Sequence, residues 1–273
     1  MASAGLWRSQ GDDSLVRRLA SAVAGIPLLV LFIWAGGYWF VGLVVVAAVL
    51  GVLEFYGFSA VTRLWLQRVP GITLTVLLTL NGYLEALWPA PLVAAAMAGL
   101  LLSHVWTPLR LRPWVLTPAG ALYLGGTLAY AILLRRLDQG AAWVLLALLS
   151  TFSVDTGAYF IGRALGRHRM APRISPGKTW EGAIAGFAAG VGSAVLLVSL
   201  FGLPLPIWQA AALGAAIGIV GQLGDLLESA LKRSASVKEA GSLVPGHGGI
   251  LDRLDSVVLN LVVVYHIATW GAM

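Results

Sequence analysis

The sequence predicts an all-α polytopic membrane protein, and two observations support this fold class. The chain has 273 residues, of which 59% are hydrophobic and only 11% are charged, whereas about a quarter of the residues of a soluble domain are charged. The hydrophobic residues form runs long enough to cross a bilayer, since a spanning helix needs roughly 20 mostly apolar residues. Cysteine is absent, which excludes disulfides and thiolate metal sites.

Apolar runs predict about nine transmembrane helices. In chain order they are residues 19–36, 38–57, 70–88, 89–106, 118–134, 141–162, 181–203, 205–224 and 256–272. The first 18 residues are polar, and no signal-type apolar core precedes the first run, so we expect no cleavable signal peptide. The sequence therefore predicts a multi-pass protein that stays in the membrane.

The basic residues predict the orientation of these helices. Lysine and arginine are enriched in the cytoplasmic loops of membrane proteins. A cytoplasmic N-terminus puts most of the basic loops on that side, namely those with Arg8, Arg17, Arg18, Arg63, Arg68, Arg110, Arg112 and the basic residues of 163–178 and 232–253. The C-terminus then lies on the far side. The short loop from Arg135 to Asp138 is an exception, since it places two arginines on the far side.

The charged residues divide the chain into two parts. Residues 1–140 are mostly apolar helices with short loops and no internal repeat, and residues 141–273 contain two polar islands, 155–181 and 225–255. These islands hold 16 of the 30 charged residues. The predicted topology places both at the cytoplasmic face, joined by one helical hairpin over 181–224. We therefore expect them to form one composite site.

The first polar island begins at a helix end. Asp155, Tyr159 and Arg163 are four residues apart and share one helix face. A carboxylate near the bilayer is costly and normally faces a polar interior with a partner. These residues form either a stabilising network between Asp155 and Arg163 or one wall of the site.

The segment Ser175-Pro176-Gly177-Lys178-Thr179 is predicted to turn and then begin a helix near Thr179 or Trp180. A helix N-terminus offers unpaired N–H groups and a positive dipole end, which suit a phosphate. Lys178 adds a positive charge, and the hydroxyls of Ser175 and Thr179 add donors. The spacing is not that of a Walker A motif, because Pro172 stands where its first glycine is required. The alternative is an ordinary basic turn with a capping residue.

The second polar island supplies carboxylates. One helical stripe carries Asp225, Glu228, Ser229 and Lys232. Asp252 and Asp255 fit the start of the next helix, where Asp255 could simply complement the helix dipole. Magnesium takes oxygen ligands, typically one or two carboxylates plus substrate phosphates. Asp225 and Asp252 are therefore the candidate Mg²⁺ ligands. His247 lies in a glycine-rich turn close by in sequence, and no role is assigned to the other three histidines, His104, His168 and His266.

A long motif from Ser229 to Asp255 reads S-A-L-K-R-x4-K-E-x-G-x2-V-P-G-H-G-G-I-L-D-R-L-D. It closely resembles the signature of the phosphatidate cytidylyltransferase family, the CDP-diacylglycerol synthases. The similarity continues through Gly221–Glu228, Asp155-x3-Tyr159-x2-Gly162-Arg163 and Ile174–Gly182, and more weakly through Glu54-Phe55-Tyr56. It covers roughly residues 150–270 and is diffuse before them.

Two positions depart from the family pattern. Glu239 stands where the family usually has aspartate, and Gly177 where lysine is common. The longer side chain makes Glu239 a weaker candidate for a metal ligand than Asp225 or Asp252. Glycine at 177 removes one possible phosphate contact.

The resemblance implies that CTP and phosphatidic acid react to give CDP-diacylglycerol and pyrophosphate, with Mg²⁺ held by Asp225 and Asp252. It leaves open a second metal ion or a monovalent cation. Contacts to the nucleotide phosphates are expected from Ser175, Lys178, Thr179 and the glycines Gly246, Gly248 and Gly249, and Glu181 is expected among the residues that bind the cofactor. The lipid phosphate or pyrophosphate is expected at Lys232, Arg233, Lys238 and Arg253. His247 is expected to contact a phosphate or the backbone, because an ionised phosphate nucleophile needs no general base.

The resemblance also implies an active site at the cytoplasmic face of a bacterial-type inner membrane, within 141–273. It implies contact with membrane lipids, none with nucleic acid, and a homodimer formed through residues 1–140. One alternative is a cytidylyltransferase that acts on another lipid or polyprenyl phosphate. A transporter would instead place charges at midspan and show repeated halves. Only Glu54 and Glu85 are carboxylates well inside the early spans.

Overall fold

The computed structural model describes residue 23 and residues 25–59, 65–84, 111–241 and 248–270. These residues are helical apart from connecting turns and one short β-hairpin. The elements are α1 (Gly25–Ala35), α2 (Gly37–Phe58), α3 (Trp65–Leu84), α4 (Leu111–Ala121), a π-helical segment (Leu122–Gly126), α5 (Thr127–Arg136), α6 (Gly140–Leu165), β1 (Arg169–Ala171), β2 (Ser175–Thr179), α7 (Trp180–Phe201), α8 (Ile207–Ser234), α9 (Leu251–Leu254) and α10 (Val257–Trp270).

Within the part of the chain that the structure describes, five helical segments are long and apolar enough to cross a membrane. They are α2, the continuous segment Val115–Arg136, α6, α7 and α8. Predicted spans 19–36, 70–88 and 256–272 correspond to α1, α3 and the 14-residue α10, whereas 89–106 lies outside the described residues. The all-α membrane class is therefore confirmed, and the total of nine spans stays a prediction.

The predicted turn at Pro176-Gly177 is wrong, because both residues lie in β2. This strand pairs antiparallel with β1, and the chain turns at residues 172–174 instead. A two-stranded hairpin tolerates a proline because its strands have an outer edge that needs no N–H donor. The predicted helix start is confirmed: α7 begins at Trp180, and the Thr179 hydroxyl accepts the N–H of Gly182 at 3.2 Å.

A glycine seam joins α6, α7 and α8, and its defining residues are Gly182, Gly190 and Gly214. A Cβ on Gly182 would lie 2.7 Å from the carbonyl oxygen of Ala158, and one on Gly190 would lie 2.8 Å from that of Gly214. Small residues let membrane helices approach until their backbones touch. The seam therefore fixes the helix ends that carry the polar islands.

Arg135 and Arg136 explain why two arginines occupy the loop that departs from the charge rule. Arg135 donates to the carbonyl oxygens of Ile33 at 2.7 Å and Trp34 at 3.2 Å, at the end of α1. Arg136 donates to the carbonyl oxygen of Tyr83 at 2.7 Å, at the end of α3. The last carbonyls of a helix lack intrahelical partners and carry the negative dipole end. Both arginines therefore cap neighbouring helices.

Replacing Arg135 with alanine is expected to lower the free energy of unfolding by about 1.5–3 kcal/mol, the typical contribution of a hydrogen bond to a charged group. Thermal unfolding in detergent measures this. Asp138→Asn is the matched control, since Asp138 is exposed in the same loop, and it should leave the transition unchanged. An Arg135→Ala protein as stable as the wild type would contradict the capping role.

Candidate functional site

A cavity of about 690 Å³ lies where α6, the β-hairpin, α7 and α8 meet. Its polar lining from α6 is the predicted face Asp155, Tyr159 and Arg163. Lys178 enters from β2 and Asp225 from α8. Residues of both polar islands therefore line one cavity, as the composite-site hypothesis requires.

An ion pair connects the two islands inside this cavity. Lys178 Nζ lies 2.7 Å from one carboxylate oxygen of Asp225, and the Ser229 hydroxyl donates to the other oxygen at 3.2 Å. The ammonium also lies 3.5 Å from the carbonyl oxygen of Gln222. The prediction that the islands meet is confirmed by this contact. A cation and a carboxylate are thus presented to any anion or metal–anion complex in the cavity.

The α6 wall is organised by Arg163 and Tyr159. Arg163 donates to the Tyr159 hydroxyl at 2.8 Å, and its guanidinium carbon lies 6.0 Å from the centre of the tyrosine ring. Since Asp155 and Arg163 both line the cavity, the interpretation of this face as a wall of the site is favoured. The Arg163 guanidinium adds a positive charge to the cavity lining besides that of Lys178.

A second charged group, the Lys232 cluster, consists of Lys232, Glu228 and Asp252. Lys232 Nζ lies 2.6 Å from Asp252 Oδ1 and 3.2 Å from Glu228 Oε1. The three side chains are 13%, 1% and 11% exposed, in that order. Lys232 was expected to receive a phosphate, but its ammonium is enclosed by two carboxylates. This enclosure favours a structural role.

Asp252 is held by backbone donors as well as by Lys232. Its carboxylate accepts the N–H groups of Gly249 at 2.9 Å and Ala240 at 3.1 Å. Burial acts to raise the pKa of Asp252, but the Lys232 and backbone hydrogen bonds together lower the pKa below its ordinary value. The carboxylate is therefore ionised at neutral pH and ties the chain before α9 to the end of α8.

Asp255, at the end of α9, has a different environment. Burial raises its pKa, and the negative charge of Asp225 raises it further. The backbone N–H of Ser256 donates to its carboxylate at 2.7 Å. This contact lies just before α10 and agrees with the helix-start role considered for Asp255.

The other residues predicted to bind the nucleotide or its cofactor have different surroundings in the structure. Thr179 lines the cavity, but its hydroxyl oxygen accepts the Gly182 N–H. Ser175 is half-buried at the start of β2 and is outside the cavity lining. Glu181 accepts the N–H groups of Arg167 at 3.1 Å and His168 at 3.2 Å, and lies 2.6 Å from His168 Nδ1. Glu181 thus stabilises the connection between α6 and β1. Its partner His168 is a histidine to which the sequence assigned no role.

The remaining cations also differ in their surroundings. Arg233 donates to the carbonyl oxygens of Ile174 and Val237, both at 3.2 Å, so it links the end of α8 to the hairpin. Lys238 and Arg253 have exposed side chains. Neither lines the cavity.

The glycine-rich turn is described only at its end. Gly246 and His247 lie outside the described residues. Gly248 has a φ of 81°, a conformation that glycine adopts without strain. Gly249 follows and donates to Asp252. The end of the turn is therefore fastened to the Lys232 cluster.

The lining of the cavity fits a magnesium ion best at Asp225. Its carboxylate and that of Asp155 face the same space, and oxygen donors suit Mg²⁺. Asp252 fits less well, because it is outside the cavity lining and its oxygens already bind Lys232 and two N–H groups. Among the described residues, no group of three or more histidine, aspartate or glutamate side chains could hold a metal ion. Magnesium commonly uses one or two carboxylates and completes its shell with water and substrate phosphates.

Helices long and apolar enough to cross a membrane, with a cavity lined by charged side chains at their ends, define an integral membrane protein with a candidate ligand site. The chain belongs to the cytidylyltransferase family, whose model matches residues 16–270. It is 35% identical over 262 residues to a phosphatidate cytidylyltransferase of Brucella suis, with 93% of each chain covered. It is 34% identical over 287 residues to one of Synechocystis, covering 92% of this chain and 95% of that relative. A phosphatidate cytidylyltransferase of Bacillus subtilis is 43% identical over 150 residues, covering 53% of this chain and 54% of the relative.

These matches confirm the family predicted from the motif between Ser229 and Asp255. They also extend the similarity into the N-terminal half, where the sequence motifs alone were diffuse. Family membership removes the transporter alternative, since the family is one of transferases.

Proposed function

We propose that this protein transfers the cytidylyl group of CTP to phosphatidic acid, giving CDP-diacylglycerol and pyrophosphate. The observation that carries this proposal is the match, over 93% of both chains, to a relative named phosphatidate cytidylyltransferase. The charged cavity supports it, because Lys178, Arg163 and Asp225 line a space at the end of membrane helices. A lipid phosphate and a soluble nucleotide can meet there.

In this reaction a phosphate oxygen of the lipid forms a bond to the α-phosphorus of CTP. The bond from that phosphorus to the oxygen bridging the β-phosphorus breaks, and pyrophosphate leaves with the electron pair. The nucleophile is already ionised, so positioning and stabilisation of charge supply most of the catalysis. No general base is required.

The cavity residues divide this work. Lys178 and Arg163 would attract and orient phosphate oxygens, and the Asp155 and Asp225 carboxylates would face the metal. Mg²⁺ would neutralise charge on the CTP phosphates and on the departing pyrophosphate. Asp225 is the carboxylate best placed to bind Mg²⁺. Asp252 would contribute indirectly, because as part of the Lys232 cluster it holds the chain before α9 against the end of α8. Lys238, Arg253 and His247 remain candidate contacts for phosphate.

The same proposal places nine helices in the membrane, with the N-terminus and the cavity on the cytoplasmic side. The distribution of basic residues supports this orientation, and CTP is available on that side. The relatives named above are bacterial, which supports the inner membrane as the location. Residues 1–140 would provide a homodimer interface, and 141–273 the catalytic region.

Purified protein in detergent, supplied with phosphatidic acid, Mg²⁺ and radiolabelled CTP, tests the reaction. We expect labelled CDP-diacylglycerol on thin-layer chromatography and none after chelation of Mg²⁺. Parallel reactions replace phosphatidic acid with a polyprenyl phosphate. Product from the polyprenyl phosphate alone would overturn the proposed substrate in favour of a related cytidylyltransferase. Product that persists at full rate without divalent metal would overturn the magnesium requirement.

A further inference from the structure

Glu54 is a buried carboxylate on α2 that contacts the polar island 197 residues later in sequence. Its side chain accepts the backbone N–H of Leu251, the first residue of α9, at 2.8 Å. Only 7% of the residue is exposed. Leu251 directly precedes Asp252. This hydrogen bond therefore holds the start of α9, the short helix that contributes Asp252 to the Lys232 cluster.

Two glycines pass directly against the same carboxylate. A Cβ on Gly241 would lie 2.4 Å from Glu54 Oε1, and a Cβ on Gly249 would lie 2.4 Å from Glu54 Oε2. Gly241 and Gly249 lie on either side of residues 242–248 in the sequence, so Glu54 is approached both before the glycine-rich turn and at its last residue. Only a residue without a Cβ fits at either position while Glu54 keeps its place.

We propose that Glu54 is a positioning residue for the reaction, acting through Gly241 and the segment from Gly249 to Asp252. It does so by accepting the Leu251 N–H and by filling the space between Gly241 and Gly249. This inference rests on the proposed function, because it takes the glycine-rich turn as part of the catalytic region. Glu54 itself does not line the cavity, so it aligns the segment without touching the nucleotide.

Replacing Glu54 with methionine keeps the side-chain length and removes the acceptor. We expect kcat to fall about 10- to 100-fold, the effect of a small misplacement of catalytic groups. The KM for CTP should stay within about threefold, because Lys178 and Asp225 are untouched. Glu54→Gln retains an acceptor oxygen and should keep kcat within about threefold of the wild type.

Hydrogen exchange provides a measurement that does not depend on activity. The peptide covering residues 248–254 should exchange faster in Glu54→Met than in the wild type, since the Leu251 N–H loses its acceptor. Val52→Ala is the matched control, because Val52 is likewise a buried residue of α2 and makes no hydrogen bond to Leu251. It should lower thermal stability while leaving kcat and the exchange of this peptide unchanged.

A second variant approaches the contact from the other side. Gly241→Ala places a methyl group against Glu54, so the same loss of kcat and the same faster exchange are expected. If the Glu54→Met protein does not fold or express, Gly241→Ala alone tests the proposed positioning role of Glu54. Unchanged exchange in Gly241→Ala and Glu54→Met, or equal loss of kcat in Glu54→Gln and Glu54→Met, would overturn the proposal. A wild-type protein without product would remove the proposed function alone, since the exchange results stand independently of it.

Discussion

Asp225→Asn is expected to lower kcat/KM for CTP by about 10²- to 10³-fold, the usual effect of removing one preorganised charge from an active site. The asparagine leaves Lys178 without its anionic partner and removes the carboxylate that we propose as the Mg²⁺ ligand. Stability should change little. The Lys178 and Asp225 side chains are 22% and 32% exposed, and ion pairs with such access to water contribute about 0–1 kcal/mol. The assay with labelled CTP and a thermal transition in detergent measure both quantities.

Ser229→Ala is the matched control for this change. It removes the hydroxyl that donates to Asp225 but keeps the carboxylate and its pair with Lys178. Its kcat/KM should therefore stay within about tenfold of the wild type, as for the loss of one ordinary hydrogen bond. If Asp225→Asn were as active as Ser229→Ala, Asp225 would have no catalytic charge to contribute.

Asp252→Asn is expected to reduce both activity and stability. The Lys232 cluster is nearly enclosed, and removing one partner of a buried ion pair typically costs about 3–5 kcal/mol. Lys232 would lose its 2.6 Å ion pair and keep its contact with Glu228, and the N–H groups of Ala240 and Gly249 would lose a charged acceptor. The thermal transition should shift down together with the loss of product formation.

Glu239→Gln provides the comparison for Asp252→Asn. Glu239 has an exposed side chain in the same connection between α8 and α9, so neither stability nor activity should change. An Asp252→Asn protein with wild-type stability and no activity would place Asp252 among the direct metal ligands instead. The stability measurement therefore distinguishes the roles of the two aspartates: Asp252→Asn should lose stability together with activity, whereas Asp225→Asn should lose activity alone.

Much of the fold and the existence of the site could be predicted from the sequence because they depend on local signals. Apolar runs define the helices, and the polar islands stand out against them. The capping position of Thr179 also has a local signal, because a threonine before a helix accepts an N–H from its first turn. The contact between Lys178 and Asp225 follows from the predicted topology, which puts both islands at the same end of one hairpin.

The remaining features of the fold and the site depend on contacts between residues far apart in the sequence. Such contacts leave no local pattern in a single sequence. Lys232 has the same local pattern whether its ammonium faces a phosphate or two carboxylates. Arg135 and Arg136 appear as misplaced charges until the ends of α1 and α3 lie beside them. The hydrogen bond of Glu54 joins residues 197 positions apart, and no spacing rule predicts it. The β-hairpin was missed because proline and glycine indicate a turn more strongly than an edge strand.

The glycine seam also limits how a lipid can travel to the cavity. A Cβ added at Gly214 would lie 2.4 Å from the carbonyl oxygen of Gly190, so α7 and α8 leave no gap for an acyl chain at that level. The same is true between α6 and α7 beside Gly182. A phospholipid that diffuses sideways in the bilayer therefore cannot pass between these helices at the level of the seam.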